Sequence, residues 1–491
     1  MPTLRLEGSG PEYQRIYRSL RRTILSGELT PGSRMPSTRG LASQLGVSRN
    51  TVLLAFSQLL AEGYVEGKGG SGTYVASALP DAMLGIAAPV TRRPRPSPFP
   101  ARRLSAFGRR ITRNPPGPAP STRWQGRGLR FDFRYGVPAV EEFPHELWRR
   151  LVTRRLRGES LRSLGYGAPE GYVPLREALA KYLKRARAIV CDPEQVIIVN
   201  GSHQALDLAA RLLLDPGDRV VIEDPHSVGA REVFLSAGAR LVLGAVDTEG
   251  LDVAALPPAA AGARLVYISP SHQFPTGAVM SLARRLALLA WAARAGAYVL
   301  EHDYDGEYRY EGRPIEAVQA LDRGGRVIYV GTLSRVLFPA LRLGYVVLPE
   351  PLVKPFKAAK FLTDRHTSTL QQEALADFIE SGHFERYLRR SRLRYATRRR
   401  ALLEALEKYF GDRVAIEGAN AGTHVLVWLR DAAPSRLPAL IERAARVGLG
   451  VYPATRYYLK PPRHAGFLLG YSSLTEDEIR AGIQRLATAL G

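Results

Sequence analysis

Polar and glycine-rich strings follow most of the apolar, strand-like runs between residues 166 and 348. The string at residues 200–204 reads Asn-Gly-Ser-His-Gln and leads into a helical segment. Glycine with hydroxyl and amide donors at a helix start suits a phosphate. Similar strings occupy residues 166–171, 270–277, 301–305, 331–335 and 339–345. Because open α/β sheets bind ligands beyond the carboxyl ends of their strands, we expect these strings to form one cleft.

A metal site is the alternative chemistry for the same strings. The residue types at His272, His302, Asp303 and Asp305 all bind metals in proteins. Their spacing matches no specific ligand motif, so the sequence predicts no metal site.

The cleft residues need a sheet to position them. Apolar runs alternate with amphipathic helical segments, which predicts a parallel sheet covered on both faces. The strand candidates are residues 195–199, 219–223, 265–268, 297–301, 326–330 and 345–348. Residues 130–350 are therefore interpreted as a large α/β domain. Residues 351–491 start with charged helices, end with three further strand candidates and are interpreted as an α+β lobe.

The N-terminal block, residues 11–76, has the pattern of three helices and a hairpin. Ser37 and Ser48 stand where N-caps of the second and third helices belong, and a glycine-rich turn at residues 67–72 separates two short strands. Helical spacing places the following residues on inner faces: Ile16, Leu20, Ile24, Leu41, Leu45, Val52, Phe56, Leu59 and Leu60. The pattern predicts a winged helix-turn-helix.

This block has the residues of a DNA reader. A helix-turn-helix places the start of its recognition helix in the major groove, where Arg49, Asn50 and Thr51 would reach base edges. Arg39 would bind a phosphate near the start of the second helix. The candidate DNA-binding residues are Arg34, Ser37, Arg39, Ser48, Arg49, Asn50, Thr51, Gly70 and Gly72.

A Pro- and Arg-rich segment joins the two parts. Residues 91–128 hold ten arginines, eight prolines and no acidic residue, so residues 79–129 are predicted to be a semi-extended linker. The formal net charge of +23 therefore comes partly from the linker. It still indicates a polyanionic partner, and nucleic acid is favoured over membrane because no apolar run is long enough to span a bilayer. The single cysteine, Cys191, fits a reducing cytoplasm.

Residues 29–39 and 45–52 resemble the GntR family of bacterial regulators. Residues 130–491 resemble the fold-type I aminotransferases, on the strings at 166–171, 200–204, 301–305 and 331–335. The combination resembles the MocR subfamily of GntR regulators. The resemblance implies a winged helix followed by an α/β domain of the pyridoxal-phosphate-dependent transferase type with its C-terminal α+β lobe. It also implies double-stranded DNA as partner, a head-to-tail homodimer, and pyridoxal phosphate as the cofactor of typical members.

The chain departs from this family at the cofactor. Arg335 stands where the family has the lysine that forms the Schiff base, and a guanidinium is always protonated and is no nucleophile. His302 replaces the aspartate that pairs with the pyridine nitrogen. Ser227 replaces an aromatic that stacks on the ring, with neighbouring His226 as an alternative stacking residue. Leu468 replaces an arginine that binds substrate carboxylates in amine-handling relatives.

Other cleft positions keep the residue types of the family. Covalent pyridoxal phosphate is not expected, while non-covalent binding of it or of another anion stays compatible with them. Arg335 would either bind that anion or fill the vacated space and pair with Asp303 or Asp305. The lysines of residues 354–360 are expected to be surface charges. The retained positions are Ser202, His203, Tyr304, Thr332, Ser334 and Arg342.

These observations predict a cytoplasmic, dimeric, sequence-specific DNA-binding transcriptional regulator. Its aminotransferase-like domain would dimerise and sense an unidentified small molecule without catalysis. Two alternatives stay open at this point. One is an enzyme of the pyridoxal-phosphate-dependent aminotransferase type, and the other is a dimeric DNA-binding protein that senses no ligand.

Overall fold

The structure is a computed structural model of the chain. It describes residues 6, 9–68, 72–80, 104–113, 115, 128–157, 165–311 and 316–491. The chain divides into two compact units, Met1–Arg103 and Leu104–Gly491. Within the described ranges, no helix combines the length and the apolar character that crossing a membrane requires.

The first unit contains three helices and a hairpin. Helices α1, α2 and α3 span Glu12–Leu25, Thr38–Leu45 and Arg49–Ala61. Strands β1, Val65–Lys68, and β2, Gly72–Val75, pair antiparallel. The predicted winged helix-turn-helix is confirmed in these elements.

Both predicted N-caps are present. The Ser37 hydroxyl accepts a hydrogen bond from the Gly40 amide at 3.0 Å, and the Ser48 hydroxyl accepts one from the Thr51 amide at 3.1 Å. Each hydroxyl satisfies one of the amides that a helix start leaves without an intrahelical partner. Ser37 thereby fixes the start of α2, and Ser48 fixes the start of α3 where the turn after Gly46 ends.

The core of this unit differs from the prediction at one position. Leu60 is 54% exposed, whereas Ala55 is fully buried beside Phe56 and Leu59. The inner face of α3 follows positions 52, 55, 56 and 59, so a leucine directly after Leu59 is turned about 100° away from it. The other predicted inner residues are buried, apart from Leu45, which is half-buried.

The second unit contains the remaining elements. Its helices are α4 Ala106–Arg113, α5 His145–Arg157, α6 Val173–Arg187, α7 Ser202–Leu213, α8 Val228–Ala237, α9 Leu282–Ala295, α10 Val318–Leu321, α11 Glu350–Asp364, α12 Thr369–Glu380, α13 His383–Phe410, α14 Leu437–Arg446 and α15 Glu476–Leu490. Its strands are β3 Phe131–Asp132, β4 Val196–Val199, β5 Arg219–Asp224, β6 Arg240–Asp247, β7 Gly250–Leu251, β8 Ala263–Ile268, β9 Tyr298–Asp303, β10 Val327–Thr332, β11 Gly344–Val347, β12 Val414–Glu417, β13 His424–Leu429, β14 Leu449–Gly450, β15 Tyr452–Pro453 and β16 Ala465–Gly470.

A large mixed sheet organises this unit, in the order β4-β11-β10-β9-β8-β5-β6-β7. The six predicted strands are present, and β6 and β7 are additions. The expected parallel direction does not hold for β11, which runs antiparallel to β10 and β4. Only residues 333–343 connect β10 to β11, and a parallel crossover needs about a dozen residues or more, usually with a helix.

Helices cover the sheet on both faces, as predicted. In β5, Val220 and Ile222 pack into one apolar cluster with α7 and α8, and Val221 packs into another with α9. Successive side chains of a strand point to opposite faces, so a continuous apolar run fits a sheet that is buried on both sides.

The C-terminal lobe has its own four-stranded antiparallel sheet, in the order β12-β13-β16-β15. Helices α13, α14 and α15 pack on it around one apolar core. Phe131 and Phe133, which sequence analysis assigned to the large domain, also lie in this core. The strand β3 joins the lobe by pairing with β14.

Part of the predicted linker is helical. Helix α4 lies inside it, and Arg110 donates hydrogen bonds to the carbonyl oxygens of Ser236 at 2.8 Å and Ala237 at 3.2 Å. These carbonyls belong to the last turn of α8, where a cation is favourable. The expectation of an extended segment is therefore wrong for residues 106–113, while most of the linker lies outside the described residues.

The cap at Ser48 gives a stability test. In Ser48→Ala the Thr51 amide loses its side-chain acceptor and keeps only the Ser48 carbonyl oxygen, and we expect the free energy of unfolding of α3 to fall by about 1 kcal/mol. Hydrogen exchange of peptides from residues 38–61, followed against denaturant in the full-length protein, measures it. Ser43→Ala is the control, because Ser43 is exposed inside α2 and makes no cap. Equal exchange in the two variants would contradict the assigned cap.

Candidate functional site

The predicted cleft residues meet at the carboxyl ends of the large sheet. Ser202 is the first residue of α7, directly after β4, and Ser227 is the N-cap residue of α8, after β5. His302 lies near the end of β9 and Thr332 ends β10. This is where open α/β sheets bind ligands, because the strands end there and the helices begin.

One side of the cleft has the groups of an anion cup. Gly201, with φ of 80°, turns the chain into α7 at Ser202. Arg342 packs so closely on this turn that a Cβ on Gly201 would lie 2.8 Å from its guanidinium. The Thr332 hydroxyl accepts a hydrogen bond from the Ser334 amide at 3.3 Å, and the Ser334 hydroxyl is buried without a partner in the described structure. Arg342 donates a hydrogen bond to the Asn200 carbonyl oxygen at 3.2 Å, and Gly344 of β11 pairs with both Val199 and Thr332, so the two groups of residues lie on either side of one strand.

His302 is an uncharged imidazole. Its Nδ1 lies 2.8 Å from the Tyr267 hydroxyl, and its Nε2 is buried with no hydrogen-bond partner among the described residues. Burial lowers the pKa of His302 to about 3, and repulsion from Arg335 adds to this. A neutral ring cannot supply the negative charge that keeps a pyridine nitrogen protonated.

His203, the second residue of α7, lies close to Ser227 at the start of α8. A Cβ on Gly229 would lie 3.4 Å from the His203 ring and 4.0 Å from the Ser227 hydroxyl oxygen. His226, the alternative stacking residue, is buried, and its Nε2 lies 3.2 Å from the Arg231 guanidinium. Burial and the Arg231 charge lower the pKa of His226 to about 4, so this ring is also uncharged.

Arg335 lies among aromatic rings. Its guanidinium carbon is 4.5 Å from the centre of the Tyr304 ring and 5.8 Å from that of Phe274. A Cβ on Gly136 would lie 3.2 Å from the same carbon, so this glycine leaves room for the guanidinium. The Nη1 group is buried and has no hydrogen-bond partner among the described residues.

The hypothesis that Arg335 pairs with Asp303 or Asp305 is wrong. Asp303 forms a buried ion pair with Arg187, and the Asp305 carboxylate lies 3.1 Å from Nδ1 of His272. Both carboxylates are therefore engaged. In the part of the chain that the structure describes, no carboxylate forms an ion pair with Arg335.

Aromatic residues from both lobes surround the guanidinium. Leu468 of β16 is fully buried in a cluster with Phe274, Tyr304 and Tyr457. Sequence reasoning missed Phe274 and Tyr457 as cleft residues. Phe274 lies inside the string at 270–277, whose position after a strand was the available signal. Nothing local marked Tyr457, because it reaches the cleft from a distant part of the chain.

The lysines on α11 do not offer a free amine in place of the Schiff-base lysine. Lys354 is exposed, as expected, but Lys357 is half-buried and pairs with Glu170 at 3.1 Å. The expectation of a surface charge is wrong for Lys360, whose side chain is 0% exposed and pairs with Asp364 at 2.7 Å. Arg335 stands at the position of the Schiff-base lysine, and a neutral His302 stands at that of the residue that pairs with the pyridine nitrogen. The residues of the cleft therefore do not fit covalently held pyridoxal phosphate.

The predicted recognition residues lie at the start of α3. Arg49 and Asn50 are exposed, and Thr51 is half-buried with its hydroxyl 2.8 Å from that of Ser48. Thr51 is therefore partly used within the helix cap. Arg49 and Asn50 are free to reach outward from the end of the helix.

The other predicted DNA contacts surround this helix. Arg39 is exposed in the first turn of α2, directly after the cap at Ser37. Arg34 packs on the hairpin, where a Cβ on Gly72 would lie 3.1 Å from its Nε. Gly72 has φ of 119°, a conformation that favours glycine. Gly70 lies outside the described residues.

Comparison with known proteins identifies the family. Residues 12–75 match the family model for bacterial regulatory proteins of the gntR family, and residues 140–462 match that for aminotransferases of class I and II. The chain is 38% identical to the probable rhizopine catabolism regulatory protein MocR of Rhizobium meliloti, over 98% of this chain and 94% of that protein. The chain belongs to the MocR-type regulators of the GntR family.

One further regulator matches almost the whole chain, and one solved structure matches about three quarters of it. The HTH-type transcriptional regulator TauR of Rhodobacter capsulatus is 35% identical over 98% of this chain and 97% of its own length. The crystal structure of Pyrococcus horikoshii kynurenine aminotransferase, in complex with PMP, matches 74% of this chain and 91% of its own, with 32% identity and a TM-score of 0.68. The predicted family, its regulatory function and its fold-type I domain are confirmed.

The neutral imidazole of His302 predicts a pH effect on stability. Because the pKa of His302 is about 3 in the folded protein and about 6.5 when unfolded, the unfolded chain binds the extra proton between these values. Stability is therefore lost as pH falls through this window. In His302→Gln we expect the free energy of unfolding to depend less on pH. The slope should decrease by at most about 1.4 kcal/mol per pH unit, and urea unfolding from pH 6.5 to 4 measures it.

The control for this prediction is His464→Gln, because His464 is exposed. Its unfolding free energy should follow that of the unsubstituted protein at every pH. An unchanged slope in His302→Gln, with the fold intact, would show that His302 is not held neutral.

Proposed function

We propose that this protein is a sequence-specific, double-stranded-DNA-binding transcriptional regulator whose cleft holds an anionic effector without covalent catalysis. The observation that carries the proposal is Arg335, a guanidinium that stacks on Tyr304 and has no carboxylate partner among the described residues. Family membership supports the DNA-binding function and a homodimer, which we propose to be head-to-tail and cytoplasmic.

The absence of turnover follows from two side chains. Aminotransfer on pyridoxal phosphate needs an amine that condenses with an aldehyde, and a guanidinium does not supply one. It also needs a partner that keeps the pyridine nitrogen charged, and His302 is neutral. The cleft thus keeps binding groups and lacks the reacting ones.

An anion is the ligand that best satisfies this arrangement. A buried donor without a partner costs about 1–3 kcal/mol, and the Nη1 group of Arg335 and the Ser334 hydroxyl are both in this state. A carboxylate or phosphate accepts from a guanidinium in bidentate geometry. The rings of Tyr304, Phe274 and Tyr457 favour a flat apolar body beside it. We therefore infer an effector that combines a flat ring with an anionic group.

Regulation requires that effector and DNA binding be coupled. A ligand changes DNA affinity only if it binds one conformational state of the protein more tightly than another. The same coupling must then raise or lower effector affinity when DNA is bound. The cleft would act as the sensor and the winged helix as the reader.

Thermal stability with ring-shaped anions tests the sensor. We expect benzoate or pyridoxal 5′-phosphate to stabilise the protein by about 1.4 kcal/mol when the ligand concentration is ten times the Kd of that ligand. Uncharged pyridoxal should give a smaller stabilisation. Arg335→Gln should lose this stabilisation because it removes the charge. Absence of stabilisation by either anion would contradict an anionic effector.

A trapping arm separates binding from covalent chemistry. After addition of pyridoxal 5′-phosphate and borohydride, the peptide covering residues 331–342 should carry no adduct in the unsubstituted protein. Arg335→Lys should carry one, because it restores an amine at this position. An adduct on any cleft residue of the unsubstituted protein would contradict the non-covalent proposal.

The recognition helix has its own prediction. In Arg49→Ala we expect loss of preference at one base pair of duplexes selected from a random pool, by about 1–3 kcal/mol. Arg39→Ala is the contrasting variant, since loss of a phosphate contact should weaken all duplexes alike and reduce the salt dependence by about one charge. Unchanged base preference in Arg49→Ala would show that another element reads the sequence.

A further inference from the structure

Two imidazoles and a carboxylate meet behind Tyr304. His272 lies in the string after β8, Asp305 follows β9, and His424 is the first residue of β13 in the C-terminal lobe. Each of the three residues is 1% exposed. One ligand atom from each lies within 4.8 Å of the other two. These are the ligand types that bind Zn²⁺ and related divalent cations.

The cluster has more polar atoms than the protein satisfies. His272 Nδ1 lies 3.1 Å from both the Asp305 carboxylate and the Tyr304 hydroxyl. His272 Nε2, the second oxygen of Asp305 and both ring nitrogens of His424 are buried with no hydrogen-bond partner in the described structure. Buried polar groups normally have partners, so four such atoms in one cluster point to a bound group that supplies them.

Close backbone packing holds these rings in place. Gly422 and Gly277 lie against His272, where a Cβ would come within 2.1 Å and 2.8 Å of its ring. The His272 and His424 rings have centres 5.0 Å apart. The side chains are therefore confined near each other by the fold, which is the pre-organisation that a metal site needs.

We propose that His272, Asp305 and His424 bind one divalent cation of the zinc class. Two ligands at zinc distances in a tetrahedral site lie about 3.4 Å apart, so the three side chains would close by about 1 Å or less each. Three protein ligands leave a fourth position for water or for an anion. This proposal does not depend on the effector function of Arg335.

The nearby guanidinium sets the conditions for binding. Arg335 stacks on Tyr304, whose hydroxyl contacts His272, so its positive charge opposes a dication in this cluster. Asp305 offsets part of that charge. An anion paired with Arg335 would offset more, and we expect inorganic phosphate or benzoate to strengthen metal binding.

Cobalt titration of the full-length, chelator-treated protein tests the site. We expect one Co²⁺ per chain, with the intense visible absorption of a four-coordinate ion and no sulfur charge-transfer band, and displacement by Zn²⁺. Asp305→Asn and His424→Gln should each weaken binding at least tenfold. The control, His464→Gln at an exposed histidine, should bind as the unsubstituted protein does.

Two results of these titrations would overturn the proposal. No stoichiometric Co²⁺ or Zn²⁺ binding by the unsubstituted protein at 100-fold excess, with and without phosphate, overturns the proposal. Binding that survives in both Asp305→Asn and His424→Gln overturns it as well. If one variant does not fold, the cobalt spectrum of the unsubstituted protein tests the proposal instead. The weak absorption of a six-coordinate ion would show that Co²⁺ binds elsewhere, and it would overturn the proposal.

Discussion

A fixed positive charge at residue 335 is the constraint on which the cleft depends. The guanidinium stacks on Tyr304, and no carboxylate in the described structure pairs with it. A guanidinium stays charged at any pH at which the protein is folded, so the cleft cannot switch to nucleophilic chemistry by losing a proton. Anion binding is therefore the chemistry that we propose for this cleft.

The ionisable side chains near Arg335 carry little net charge of their own. Asp303 is neutralised by Arg187, and His302 and His226 are held uncharged by burial. The cleft thus presents Arg335 and Arg342 with little competing negative charge on the described residues. In the function that we propose, these side chains act as binding groups.

Much of the fold was predictable because its signals are local. Helix caps at Ser37 and Ser48 and the apolar runs of the large sheet depend on residues close in sequence, so they were read correctly. Two of the errors have different causes. Leu60 is exposed because it lies about 100° around α3 from Leu59, which is a local property of the helix. The burial of Lys360 depends on packing with distant parts of the chain, which its charge does not indicate.

The residue type at position 335 could be known without a fold, and it decides that this side chain cannot condense with an aldehyde. The sequence also determined the family, through motifs that span both parts of the chain. The fold was needed to show that Asp303 and Asp305 pair with Arg187 and His272 rather than with Arg335, and that His424 lies beside His272 and Asp305. These contacts join residues far apart in the chain, and their distances follow from packing between lobes rather than from spacing along the sequence.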